Sequence, residues 1–169
     1  SYRRAIALSP EQSFLHSNLL LTLHYHPDYS PADLQREYQA WAERHVAPLV
    51  STRRPHPNDR NPNRRLRIGY VSPDFREHPV ARFILPLLTE HDPAQVEVFA
   101  YADITQPDSV TESIRSHVHQ WRDTSVLSDA QLADAVRSDG IDILVDLAAH
   151  SGGNRLLVFA RKPAPVQVT

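Results

Sequence analysis

The strongest constraint on this chain is a change of grammar at Leu66: from there on, short apolar runs alternate with stretches long enough to be helical crossovers. Leu66-Arg67-Ile68-Gly69-Tyr70-Val71-Ser72 reads as a strand, a helical stretch follows from Pro79 to Glu90, and Val96-Glu97-Val98-Phe99-Ala100-Tyr101 reads as a second strand. A polar helix is expected over 110–119, an extended Gln120-Trp121-Arg122-Asp123 after it, then a helix over 129–137. Gly140 is placed to terminate that helix, and 141–147 is a buried strand. A short helix at 156–160 and the strand-like Val166-Gln167-Val168 complete the series. Strands joined by helical crossovers pair in parallel and are buried on both faces. The alternation therefore predicts an α/β fold, a Rossmann-like parallel sheet with flanking helices.

Residues 1–47 follow a different, all-helical pattern. Tyr2, Ala5, Ile6 and Leu8 fall at helical spacing and stop at Ser9-Pro10. Phe14, Leu15, Leu19, Leu20 and Leu23 form a second run that ends near His26-Pro27. Ser30-Pro31 opens a third, since serine caps and proline suits the first helical position; Leu34, Tyr38, Trp41, Ala42 and His45 share its face. Ala5-Ile6-Ala7-Leu8-Ser9-Pro10 resembles the A-x-x-L-x-P close of a tetratricopeptide repeat. Such arrays need about three or more units to be stable, so this stretch is expected to be the end of a longer helical array. Residues 48–65 hold four prolines, five arginines and three asparagines without periodicity, and read as a Pro/Arg-rich, solvated linker whose arginines could also touch phosphate or a partner. The expected organisation is a helical 1–47, a linker 48–65 and a Rossmann-like domain 66–169.

Composition excludes several classes. The chain has 169 residues, a formal charge of −2 and 41% hydrophobic residues, which is a globular composition without the basic excess of a nucleic-acid binder. No apolar run approaches the roughly 20 residues of a membrane span and no signal peptide opens the chain, so a cytoplasmic protein is expected. With no cysteine there is no disulfide, zinc-thiolate site or thiol nucleophile. With no methionine either, the chain is expected to be a piece of a longer one.

In doubly wound sheets ligands bind beyond the carboxyl ends of the strands. Two loops fall there. Ser72-Pro73-Asp74-Phe75-Arg76-Glu77-His78-Pro79 puts Asp74 at a strand end and His78 at a helix start. A histidine so placed could act as a general base or hydrogen-bond a sugar or phosphate; the plainer reading is a turn residue and a cap. Ala148-Ala149-His150-Ser151-Gly152-Gly153-Asn154-Arg155 lets backbone amides approach a ligand, or is an ordinary glycine turn. It is neither a G-x-G-x-x-G fingerprint nor a Walker A loop. His24-x-His26 and His117-x-His119 lack the one-face spacing of a helical metal pair, and Ser72 and Ser151 lack the G-x-S-x-G elbow, so metal binding and hydrolysis are disfavoured.

The blocks from Leu66 to Phe75, His78-Pro79, Val96 to Tyr101, Asp139-Gly140-Ile141-Asp142-Ile143-Leu144-Val145 and Phe159-Ala160-Arg161-Lys162-Pro163-Ala164-Pro165-Val166-Gln167 together resemble the amino-terminal half of the catalytic region of O-linked N-acetylglucosamine transferases, bacterial members above all. The resemblance covers about 66–169. It implies an inverting glycosyltransferase with two facing Rossmann-like domains, the GT-B arrangement. The donor would be UDP-N-acetylglucosamine, the acceptor a serine or threonine hydroxyl on a protein or peptide, and neither metal nor cofactor would be needed.

The family's D-F-x-x-H-P motif stands here as Asp74-Phe75-Arg76-Glu77-His78-Pro79. By that match His78 lines the sugar and acceptor site and Asp74 is the carboxylate proposed to take up the hydroxyl proton through water. An imidazole is the better base at neutral pH, so His78 ranks first. A further active-site histidine of animal members has its nearest match in His16. Gly152 belongs to a segment lining the acceptor groove, His150 stands where animal members carry tyrosine, and Val80, beside Pro79, replaces a threonine. The W-x-G-Y-P-G segment and the diphosphate-binding lysine of the family would follow Thr169, so this stretch alone is expected to be inactive. The alternative is a tetratricopeptide-linked α/β module that binds protein partners without catalysis.

Overall fold

The computed structural model describes residues 1–169 and contains the expected parallel sheet. Its strands are β1 (Leu66–Ser72), β2 (Val96–Ala102), β3 (Gln120–Asp123), β4 (Ile143–Asp146) and β5 (Val166–Val168), in the spatial order β3-β2-β1-β4-β5 with every pairing parallel. The order reverses between β1 and β4. Leu66 lies opposite Val96 on one side of β1, and Ile68 opposite Ile143 on the other.

The helices are α1 (Tyr2–Leu8), α2 (Ser13–Leu23), α3 (Pro31–Trp41), α4 (Pro79–Glu90), α5 (Ser109–Ser116), α6 (Asp129–Ser138) and α7 (Leu156–Ala160). Because side chains alternate across a strand, the sheet feeds two cores. Tyr70, Val98, Ala100 and Ala102 meet Ala81, Ile84, Leu88 and Ile114 of α4 and α5. Val71, Phe99, Tyr101 and Leu144 meet Leu132, Val136, Val158 and Phe159 of α6 and α7. The starts of α3, α5 and α6 are fixed by the side chains of Ser30, Asp108 and Ser128, each accepting from the third amide of its helix. Gly140 closes α6 at φ +63, a conformation that favours glycine.

Helical structure runs beyond residue 47. Wide turns over Ala42–Val46 pass into tight ones over Ala47–Thr52, where Pro48 has no amide for the α ladder. The linker is mostly exposed, as read from the sequence, but several of its polar side chains tie it to the α/β domain. Arg53 Nε donates to the Ala160 carbonyl at 3.0 Å, and His56 Nε2 lies 3.0 Å from the Lys162 carbonyl. Asn58 Nδ2 and Arg64 Nη1 each reach the buried Asp142 carboxylate at 2.7 Å. Burial pushes the Asp142 carboxyl up, but Arg64, the Arg67 amide and Asn58 outweigh it and hold the group below the usual carboxylate range. No helix is long and apolar enough to cross a membrane.

Candidate active site

The loops after β1 and β4 flank the reversal of strand order, where the carboxyl ends of neighbouring strands splay apart and leave a crevice. In the β1–α4 loop the Ser72 hydroxyl accepts the Asp74 amide at 2.9 Å, and the fully buried Phe75 ring, 5.9 Å from Trp121, pins the loop down. Asp74 is thereby held nearly buried, with Arg76 Nη2 at 3.5 Å from Oδ1 and His78 Nδ1 at 3.7 Å from Oδ2. His78 is the N-cap of α4: its Nδ1 accepts the Val80 amide at 3.3 Å, while Pro79 takes the first helical position. The cap and the catalytic reading therefore meet on one nitrogen. With Nδ1 accepting, a neutral ring carries its proton on Nε2 and donates; with the proton on Nδ1, turned to Asp74, Nε2 is free as a base.

The β4–α7 loop is shaped by Asp146, a buried carboxylate at the end of β4. It accepts the Ala148 amide at 3.0 Å and the Ala149 amide at 2.9 Å, as well as the Thr169 hydroxyl at 2.9 Å. Gly153 sits at φ +74 with its Cα against Pro73, so that a Cβ there would come within 2.9 Å of the Pro73 ring. This contact brings the two loops together. Gly152 instead faces open space and, with Pro73, Asp74, Arg76, Asp103 and Asp108, lines a polar cleft of about 610 Å³. Asp108 joins the wall by accepting the Glu77 amide at 2.7 Å while capping α5.

Arg155 braces this edge from below. Its guanidinium donates to Asp103 at 2.9 Å, Asp129 at 3.0 Å, and the Leu127 and Thr124 carbonyls at 3.0 and 3.1 Å. A second cleft, of about 520 Å³, lies at the opposite, amino-terminal edge of the strands, where Arg64 and Arg67 already pair with Asp142 and Glu97. It contains none of the candidate residues.

His16 and His150 fall in one cluster between α2, α3 and the β4–α7 loop. His150 Nδ1 is 2.9 Å from Ser17 Oγ, and its ring lies 4.8 Å from Trp41 and 5.2 Å from Tyr38. His16 is buried, edge-on to His45 at 5.6 Å, and makes no hydrogen bond to Asp74 or His78. Burial lowers the pKa of His16 and of His45, and pushes His150 down to about 4, with His16 and His24 adding repulsion. His24 itself pairs with the Tyr38 hydroxyl at 2.7 Å.

The structure thus brings Asp74 and His78 together across the β1–α4 loop with Pro79 and Val80 opening α4, sets Gly152 on the same cleft as Asp74, and gives His16 and His150 to the junction with the helices. Sequence reading missed Ser17, Asp103, Asp108, Asp146 and Arg155. Only Asp108, an acidic residue before a helix, carried a local signal, as a cap. No three His, Cys, Asp or Glu side chains converge to hold a metal ion.

A five-stranded parallel sheet in this order, with polar loops meeting at its switch point, defines a Rossmann-like α/β domain. The comparisons with known proteins agree. Residues 35–169 match glycosyl transferase family 41, and the chain belongs to that family. It is 34% identical over 172 residues to the Arabidopsis thaliana protein named probable UDP-N-acetylglucosamine-peptide N-acetylglucosaminyltransferase SPINDLY, and 32% over 168 residues to its Petunia hybrida namesake. These alignments cover 96% and 97% of this chain and 18% of each relative, so the chain spans under a fifth of their length. Among solved structures, a Thermobaculum terrenum O-GlcNAc transferase mutant superposes with a TM-score of 0.92 at 44% identity, over 99% of this chain and 32% of that one. The sheet is thus one half of a GT-B arrangement.

Proposed function

We propose that the protein carrying this chain is an inverting glycosyltransferase that moves N-acetylglucosamine from UDP-N-acetylglucosamine to serine or threonine hydroxyls of a protein or peptide. Residues 66–169 are its amino-terminal catalytic domain and supply the acceptor-side wall of the cleft; residues 1–47 close a tetratricopeptide array, joined by the linker 48–65. The observation that carries the reading is the Asp74–His78 pair, 3.7 Å apart at the switch point and beside the cleft that Gly152 lines. Family membership and the names of the relatives support the choice of donor and acceptor.

In this reading the acceptor hydroxyl attacks the anomeric carbon from the face opposite the leaving UDP, which inverts the configuration. His78 Nε2 takes the hydroxyl proton. That role requires the proton of the free imidazole on Nδ1, facing Asp74, so Asp74 acts as orienter, and the 3.3 Å cap to Val80 is given up in the active tautomer. The step uses no metal.

The test is sugar transfer from UDP-N-acetylglucosamine to acceptor peptides by the full-length protein, with and without EDTA. Loss of general-base catalysis in His78→Ala is worth about 10²–10⁴ in kcat, and Asp74→Asn should lose a smaller part of it. Unchanged transfer in His78→Ala would remove the proposed base, and inhibition by EDTA would remove metal independence. No turnover by the intact wild type would favour a protein-binding module.

A further inference from the structure

Within the β4–α7 loop the backbone is strained at one residue that is not glycine. Ala149 has φ +46, a left-handed conformation that is disfavoured for an alanine. The Asp146 carboxylate holds it there by accepting the Ala148 and Ala149 amides, and the next residue, His150, is turned onto the helices. Its ring meets Ser17 of α2 and Tyr38 and Trp41 of α3, and Trp41 in turn packs 5.7 Å from His45. Two residues further on, Gly152 lines the cleft and Gly153 rests on Pro73.

We propose that His150 is a positioning residue: its ring latches the β4–α7 loop to the α2–α3 helices, so that the helical segment and the Gly152 wall of the cleft move as one body. His150 acts through the loop and not by contact with the reacting atoms. The groups around it suit a neutral ring. His24, His16 and His45 are the titratable neighbours from the helices, beside the Tyr38 phenol; Glu37 and Arg44 act on His16, and Arg44 on His45. No carboxylate touches His150 to favour an imidazolium, and burial holds its pKa near 4. A neutral imidazole both bonds the Ser17 hydroxyl and packs edge-on against an indole without the penalty of a buried charge. Burying the ring against two aromatic residues gives this loop an anchor that a glycine turn otherwise lacks.

The experiment uses the full-length protein and two readouts, of which the second rests on the transferase reading and the first does not. The first is amide hydrogen exchange over residues 13–23 and 148–154, compared among wild type, His150→Ala, His150→Phe and Ser17→Ala. Losing a hydrogen bond and two aromatic contacts should speed exchange in both segments about tenfold or more in His150→Ala. His150→Phe, which keeps the ring, and Ser17→Ala, which breaks the bond from the helix side and leaves the loop sequence intact, should each show part of the effect. The second readout is the acceptor-peptide KM at saturating UDP-N-acetylglucosamine. His150→Ala should raise it about tenfold and leave acceptor-independent donor hydrolysis within about twofold, since a displaced wall weakens acceptor placement and not the donor's chemistry.

Unchanged exchange over 13–23 in both His150→Ala and Ser17→Ala would overturn the latch. A fall in kcat with the acceptor KM unchanged would make His150 a group acting on the reacting atoms and would overturn the positioning role. If the wild type transfers no sugar, the transferase reading fails, and the exchange data alone decide the latch.

Discussion

Replacing Arg155 by methionine removes a guanidinium that joins four segments at the carboxyl edge of the sheet. The side chain is 14% exposed and pairs with Asp103 and Asp129, which are 18% and 27% exposed. Two of its donors also satisfy the carbonyls of Leu127 and Thr124. Breaking a fully buried pair costs about 3–5 kcal/mol because a charge is left without a partner. Here Asp129 sits in the first turn of α6, where the helix end favours an anion, and Asp103 reaches the cleft and its water. These discounts leave about 3 kcal/mol for Arg155→Met, or a fall in Tm of about 6–12 °C for a chain of this size. Arg155→Lys keeps the charge but has no planar fork to span four acceptors, so it should recover less than half of the loss. Urea and thermal unfolding of the 169-residue chain measure both. A loss below about 1 kcal/mol in Arg155→Met, or full recovery with lysine, would refute the reasoning from burial and geometry.

Two adjacent glycines should respond in opposite ways. Gly153→Ala places a Cβ 2.9 Å from the Pro73 ring at φ +74, and should cost about 1–3 kcal/mol in urea unfolding, whereas Gly152→Ala meets open space and should change stability by less than about 0.5 kcal/mol. Equal costs at the two positions would contradict the loop geometry. Acid should weaken the wild type relative to His150→Phe. Burial, with repulsion from His16 and His24, lowers this imidazole from 6.5 to about 4, so the folded state resists the proton and the neutral ring's contribution is whole above 6.5. It is then lost as pH falls from 6.5 towards 4. The full shift corresponds to about 3 kcal/mol, and solvent contact of the ring reduces it to about 1–2 kcal/mol. Urea titrations of both proteins at pH 7.5 and near 4.5 should show a difference that changes by about that amount; a pH-independent difference would remove His150 as the titrating group.

What the sequence makes legible, and what it hides, divides by the range of the interaction. The alternation of strand and helix in a Rossmann-like sheet follows from local signals: the apolar runs at 66–72 and 96–101 are buried over their carboxyl-terminal residues, and Ser30-Pro31 and Asp108 mark helix starts by short side chains that reach amides three residues on. Asp74 and His78 were legible for the same reason, four residues apart across one loop and one cap. Asp142 reads as part of a buried strand at 141–147; β4 is Ile143–Asp146, and Asp142 just before it bonds to Arg67 and Val166 through its backbone while its side chain pairs with Arg64, 78 positions earlier, a partner no local pattern marks. The role of Arg155 and the partner of His150 were hidden in the same way. Their partners lie 26 to 52 and 133 residues away, and no period or spacing marks an arginine that will face two aspartates, or a histidine that will face a serine on another element.

His78 shows where the two ranges meet. The His-Pro step predicts a cap or a base without deciding between them, and the structure places both demands on Nδ1, the Val80 amide at 3.3 Å and Asp74 at 3.7 Å. The cap is a single long hydrogen bond at the start of a helix that buries Ala81, Ile84 and Leu88, so α4 stays in place whichever tautomer the ring adopts. Leaving the cap, as the proposed mechanism requires, would therefore cost the ring about 1 kcal/mol, the typical worth of an N-cap side chain. In the proposed mechanism a base assembled in this way needs Asp74 to hold the second tautomer, so Asp74→Asn and His78→Ala should both lower transfer, whereas a turn and a cap that happen to be adjacent would leave it unchanged.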